Sequence, residues 1–256
     1  MSVCILANDD PQSRAMIAGI AKDHSISAII FEKKPKGSML KTLKFRIRRL
    51  GYKKVIGQLL LLVYEKMFLS KRSLSAIQDS LGSFGPIPTS IPTYTVKSVN
   101  SDRTLELLEL HQPQICVITG TSIIKPVVLD KCSLFLNIHC GITPAYRGVH
   151  GGFWAIKEQD FKNVGVTIHK VDQGIDTGDI VYQEEVSFTK KFETHRTLAA
   201  KQYKIGIPLM SKAIDDGLNG RLPSFRRDDL ESRQWFSPTL LDYFGFRKIL
   251  SEIALN

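Results

Sequence analysis

Short apolar runs alternate with helical patterns along the first half of this 256-residue chain, and that alternation restricts the fold more than any other feature. Val3 to Ala7 and Ile26 to Phe31 read as buried strands, and Pro11 to about Asp23 between them as a helix with proline in its first turn. Strand signals return at Thr93 to Val96, Ile115 to Thr119 and Phe135 to Ile138, with a helix from an N-cap at Ser101 through Leu110. Strand and helix in alternation predict an α/β chain, a Rossmann-like and mostly parallel sheet with helices on both faces. Leu81 to Pro92 must be loop, because three prolines and two glycines interrupt both periods. From Val164 the pattern changes: Gly165 to Val171 and Ile180 to Val186 read as two strands around a compact acidic loop, and Thr194 to Gly217 as a long helix. Residues 1–217 are therefore expected to form the main domain, with 33–72 as a basic helical insertion and 218–256 as a small C-terminal appendage. The aromatics of that appendage, Trp235, Phe236, Tyr243, Phe244 and Phe246, suit either core packing or stacking on a flat substrate.

The net charge of +10 is concentrated in one place. Residues 33–72 carry thirteen Lys and Arg against one acid, Glu65, while the rest of the chain has 22 bases and 24 acids. Leu40, Leu43, Ile47 and Leu50 recur there at helical spacing, which reads as a basic amphipathic helix followed by a more apolar one. The apolar run Gln58 to Tyr64 is too short to span a bilayer. Such a segment is a solvated cationic face or a surface for an anionic partner: nucleotide phosphates, a tRNA acceptor stem or an anionic membrane. The N-terminus lacks a basic n-region and turns polar at Asn8, which leads to a cytoplasmic location as the expectation. Four scattered cysteines without a CxxC pair indicate reduced thiols, neither a disulfide framework nor a zinc ribbon. Neither GxGxxG nor GxxxxGK[ST] occurs, so a nicotinamide fingerprint and a P-loop are both absent.

The chemistry-bearing residues gather after the fifth strand. Asn137-Ile138-His139 closes the run Leu134-Phe135-Leu136, and Val164 to Gly178 follows with Asp176 in its loop. An amide, an imidazole and a carboxylate at strand ends are what acyl transfer to an amine needs: an oxyanion partner, a proton-transfer group and an orienting anion. Taken singly, Asn137 could cap a turn, His139 could be a satisfied semi-buried histidine and Asp176 a turn aspartate. His169 lies on an alternating strand and reads as structural. A zinc site from His139, Cys140, His150 and His169 matches no common ligand spacing, so no metal is expected.

Asn137-Ile-His139-Cys-Gly141-Ile-Thr-Pro144-Ala-Tyr-Arg147-Gly148, with Gly165 to His169 and Asp172 to Gly178, resembles the signature of the formyltransferases that use 10-formyltetrahydrofolate. The resemblance covers about two thirds of the chain, and it implies an enzyme in which an acceptor amine attacks the formyl carbon. On this resemblance Asn137 and His139 would hold the oxyanion, and Asp176 would orient His139 and help remove the amine proton. The folate would lie against Thr119, Gly120, Thr121, Ile123 and Ile124, with Gly174, Ile175 and Gly178 closing over it. Tyr146, Arg147, Gly148, His150 and Trp154 would face the acceptor, and Arg147-Gly148 with Gly151 to Ala155 looks most like the sugar-modifying branch. Methionyl-tRNA enzymes typically show Ser-Leu-Leu-Pro where Cys140 to Pro144 stands here, and add a sizeable C-terminal domain. Glycinamide ribonucleotide enzymes open with a glycine-rich phosphate loop that Asn8 to Ser13 lacks. The expected acceptor is an amino sugar, carried on a nucleotide. A tRNA-binding formyltransferase, a formyltetrahydrofolate hydrolase and an anionic-membrane binding protein are the alternatives.

Overall fold

The computed structural model describes residues 2–33, 38–188 and 193–253, so Lys34 to Gly37 of the basic segment lie outside the described residues. In chain order the strands are β1 (Val3–Ala7), β2 (Ile26–Glu32), β3 (Thr93–Val96), β4 (Ile115–Thr119), β5 (Leu134–His139), β6 (Arg147–Gly148), β7 (Gly165–Lys170), β8 (Ile180–Glu185) and β9 (Gln234–Trp235). The helices are α1 (Pro11–Asp23), α2 (Ser38–Leu50), α3 (Tyr52–Tyr64), α4 (Ser70–Leu81), α5 (Asp102–His111), α6 (Pro126–Leu129), α7 (Gly151–Lys157), α8 (His195–Leu218) and α9 (Leu240–Ile253), with a π-helical turn at Glu65–Leu69.

Seven strands make one sheet in the order β3-β2-β1-β4-β5-β7-β8. The first five are parallel, β7 runs antiparallel to β5 and β8 antiparallel to β7, so the sheet is mostly parallel as expected. Alternation along β1 explains the two buried layers: Val3, Ile5 and Ala7 join the cluster under α1, α4 and α8, while Cys4 and Leu6 join the cluster under α5 and α6. Asp10 starts α1 by accepting a hydrogen bond from the Ser13 amide at 2.8 Å, and Pro11 occupies the first turn. Thr194 starts α8 with a reciprocal capping box to Thr197.

Two features go beyond the sequence expectation. Helix α4 packs against α8 and α1, yet its inward face is Ser73, Ile77 and Leu81, too sparse an apolar pattern to stand out beside the basic segment. The other is the way the C-terminal residues return to the main body. β9 pairs in parallel with β6, Arg147 opposite Gln234 and Gly148 opposite Trp235, and α9 packs on α7 and α3. Trp235, Tyr243, Phe246 and Leu250 form a third apolar cluster with Leu61, Tyr146, Phe153 and Ile156.

Candidate active site

The site lies where the sheet turns from parallel to antiparallel. Register places Ile118 beside Asn137, Asn137 beside His169, and His139 beside Thr167, so the ends of β4, β5 and β7 meet at one edge. Asn137 and His139 are two residues apart on one strand and point to the same face. The loop after β7 brings the acid over them. Asp172 ties that loop by accepting from the Gly174 amide at 3.0 Å and the Thr177 hydroxyl at 2.7 Å. A side chain on Gly178 would run into the Lys170 carbonyl, so only glycine fits this approach. Asp176 itself has φ +51°, a left-handed conformation that Asp tolerates better than most residues.

Asp176 Oδ2 lies 3.4 Å from His139 Nδ1, and Asp176 Oδ1 lies 3.5 Å from His169 Nε2. The Gly148 amide donates to Asp176 Oδ2 at 2.7 Å. Burial alone would raise the Asp176 carboxyl, but the two imidazoles and the Gly148 amide outweigh it and hold the group well below the usual carboxylate range. His169 Nδ1 donates to its neighbour's carbonyl, Lys170 O, at 2.7 Å, while His169 Nε2 faces the Asp176 carboxylate and lies 3.0 Å from Asn137 Nδ2. The Asn137 Nδ2 group keeps a second hydrogen. His139 Nε2 faces the Tyr146 carbonyl at 2.6 Å, so both of its ring nitrogens have protein partners.

These groups border a cavity of about 630 Å³. Among the residues expected to hold folate, Gly120, Thr121, Ile123, Ile124, Gly174 and Ile175 line it. Thr119 is instead buried beneath, hydrogen-bonded to Tyr203 at 2.8 Å and Ser13 at 3.2 Å, and Gly178 stands at the foot of the acid loop. Among those expected to face the acceptor, Gly148 and His150 line the cavity. Arg147 fastens the acid loop, donating to the Ile175 carbonyl at 3.0 Å. Tyr146 and Trp154 both stack against Trp235, with ring centroids 5.8 and 4.7 Å away, and it is Trp235 that reaches the cavity.

Several lining residues carry no motif in the sequence. His169, read as structural, touches both Asn137 and Asp176. Phe45, Arg46 and Arg49 of α2 and Gln234, Trp235 and Phe236 around β9 complete the far wall, where the Arg49 guanidinium lies 5.1 Å from the Phe236 ring centre. The local excess of Lys and Arg and the aromatic density of the tail were the available signals. Behind His150, whose φ is +59°, lies a second buried cluster. The His150 and His195 rings meet edge to face at 4.4 Å, and Glu65 stands 3.1 Å from His195 and 3.3 Å from Arg196. Burial, then the Arg196 charge, pushes His150 down to about 4. Burial also holds His195 well below its ordinary value. Cys140 lines the cavity too, but burial pushes its thiol up to about 12, which makes it a poor nucleophile. Among the described residues no group of three His, Cys, Asp or Glu is arranged to hold a metal ion.

An amide, two imidazoles and a fixed carboxylate thus meet at the open end of a parallel sheet, where α/β folds place their ligand sites. The formyl transferase family model matches residues 64–214, more than half of the chain, and the chain belongs to that family. It is 32% identical over 128 residues to the methionyl-tRNA formyltransferase of Finegoldia magna, covering 49% of this chain and 41% of that protein. The enzyme of the same name from Desulfotalea psychrophila is 30% identical over 146 residues, covering 56% and 45%. The chain thus spans less than half the length of these relatives. Among solved structures, a 4-N formyltransferase from Francisella tularensis superposes with a TM-score of 0.56 at 17% identity, covering 97% of this chain and 86% of that one. Glycinamide ribonucleotide transformylase 1 from Symbiobacterium toebii gives 0.55 at 18% identity, covering 94% of each chain. Both likenesses show the shared fold.

Proposed function

We propose that the chain transfers a formyl group from 10-formyltetrahydrofolate to the primary amine of an amino sugar carried on a nucleotide. The observation that carries this reading is the convergence of Asn137, His139, His169 and Asp176 on one cavity wall. The amine nitrogen attacks the formyl carbon, the carbonyl becomes an oxyanion, and the bond to the folate nitrogen then breaks as that nitrogen takes a proton. The spare hydrogen of the Asn137 amide serves the oxyanion. A carboxylate held as far down as Asp176 is a poor base, so it acts as a fixed anion beside the ammonium that forms, and the proton leaves along the imidazole cluster and water. The folate fits the Gly120–Ile124 and Gly174–Ile175 side, where backbone groups and aliphatic side chains line the cavity. Arg46 and Arg49 next to Trp235 and Phe236 suit the phosphates and base of a nucleotide on the other. A volume of about 630 Å³ lies within the ordinary span of small-ligand sites.

An aminoacyl-tRNA acceptor is the second reading, favoured by the methionyl-tRNA enzymes among the sequence relatives and by the cationic α2. One assay separates the two: incubation with 10-formyltetrahydrofolate and either a panel of amino-sugar nucleotides or methionyl-tRNA, following tetrahydrofolate absorbance. Turnover with an amino-sugar nucleotide is the expected result. Turnover with the tRNA alone refutes the sugar assignment, and formate release without any amine identifies a hydrolase.

A further inference from the structure

The segment that walls the cavity presents an unusual surface on its other side. Eleven of the nineteen exposed large hydrophobic residues among the described ones fall between Phe45 and Leu74. Helix α3 accounts for most of them. Its inward residues Val55, Gln58 and Leu61 are buried toward the C-terminal residues, Gln58 donating to the Ser237 carbonyl at 2.7 Å. On the opposite side Tyr52, Ile56, Leu59, Leu60, Val63 and Met67 are 44–68% exposed. Their spacing of three and four residues makes a single apolar stripe, on the order of 20 Å long at 1.5 Å per residue. A helix apolar on both faces, with only one of them covered, marks an interaction surface.

Charge selects the kind of partner. From Leu43 to Gln78 the only acid is Glu65, which is 4% exposed and faces His195 and Arg196. Lys44, Arg48, Lys53, Lys54, Lys66 and Lys71 are all exposed, so along this stretch of the chain the stripe is flanked by cations and by no exposed acid. A second copy of the chain would bring like charges face to face across a two-fold contact. Nucleic acid would use the cations and stack on Tyr52, but the aliphatic Ile56, Leu59, Leu60 and Val63 that make up most of the stripe offer it neither a stacking face nor a hydrogen bond. An anionic bilayer answers both halves: aliphatic groups enter the boundary between headgroups and acyl chains, and the lysines and arginines meet lipid phosphates. Among the described residues no helix is long and apolar enough to cross a membrane, so the contact lies in the plane of the surface.

We infer that the outer face of α3, with the cations around it, docks on an anionic membrane. This goes beyond the reaction proposed above and does not depend on it. Because α2 supplies Phe45, Arg46 and Arg49 to the cavity wall, docking sets the cavity beside the bilayer. The test is co-sedimentation of the full chain with vesicles of phosphatidylcholine alone or with about one third phosphatidylglycerol, at low and high salt. Binding to the anionic vesicles should be roughly tenfold or more above the zwitterionic ones and fall as salt rises. Leu60→Glu with Val63→Glu should abolish it, as should Lys53→Glu with Lys54→Glu, and the circular dichroism spectrum and melting temperature of each should match the parent. Equal sedimentation of parent and variants, or none with either vesicle, overturns the inference. Dimerisation lost in the Leu60/Val63 variant, or tRNA retention indifferent to it, in either case without vesicle binding, assigns the face to a second copy or to nucleic acid and also overturns it.

Discussion

His150 should make the protein acid-sensitive, and the size of the effect follows from its surroundings. In the folded chain burial and the Arg196 charge push its ring down to about 4, whereas a histidine in an unfolded chain takes its proton near about 6.5. Between those values the unfolded state binds more protons than the folded one, so stability falls as pH drops through that window. Going from pH 7 to pH 5, linkage gives a loss of about 2 kcal/mol from this one ring, and since the ring borders the cavity that figure is a ceiling. His195 acts in the same direction and remains in place in the variant. The perturbation is His150→Asn, chosen because φ at this position is +59° and Asn accepts that conformation. Urea unfolding of parent and variant at pH 7 and pH 5 provides the measurement. The variant should lose up to about 2 kcal/mol less than the parent between the two pH values. Equal losses in the two proteins would refute the reasoning, since the ring would then titrate alike in both states.

Other predictions concern the site and its support. Asn137→Ala should lower turnover by about 10² to 10³ while folate binding, followed by fluorescence quenching, stays within a few fold. His169→Gln removes the ring that meets both Asn137 and Asp176, and should cut kcat by at least about tenfold; parental kcat would return His169 to a purely structural role. Asp176→Asn keeps the shape and deletes the anion beside His139 and His169, and should cut kcat by at least about tenfold while folate binding stays within a few fold. Parental kcat in that variant would remove the Asp176 charge from the mechanism. Gly206→Ala places a methyl 2.5 Å from Ile138 Cδ1 and 2.9 Å from Val166 Cγ2, and should cost about 1–3 kcal/mol in thermal or urea unfolding.

Strands β1 and β4 at the centre of the main sheet were legible because they are buried on both faces and therefore read as unbroken apolar runs. Val3–Ala7 and Ile115–Thr119 are buried at every position, and both were visible to the residue. Helix α4 was not, because its inward face carries only two large apolar residues and its sequence runs on from a block of lysines and arginines. β6 and β9 are two residues each, too short to carry a period, and pair across 85 residues of sequence. No local pattern announces such a contact, although it brings Trp235 to the cavity.

At the site, legibility followed the backbone's demands more closely than the side chains' chemistry. Gly178 stands out in Asp-Thr-Gly because a Cβ there would meet the Lys170 carbonyl, and Asp176 because the αL turn favours its residue type. His169 and the Arg46–Arg49 pair left no such mark. An alternating strand and a basic helix look the same in sequence whether they face solvent or a ligand, and only the register of β5 against β7 and the fold-back of α2 decide which. The same reasoning explains why the acceptor is harder to read than the reaction. Asn137, His139 and Asp176 lie within forty residues on adjacent elements, while the opposite wall is assembled from α2 and β9, nearly two hundred residues apart. On the proposed reading, reaction chemistry is a local property of one sheet edge, and acceptor choice is a property of how two distant segments meet over it.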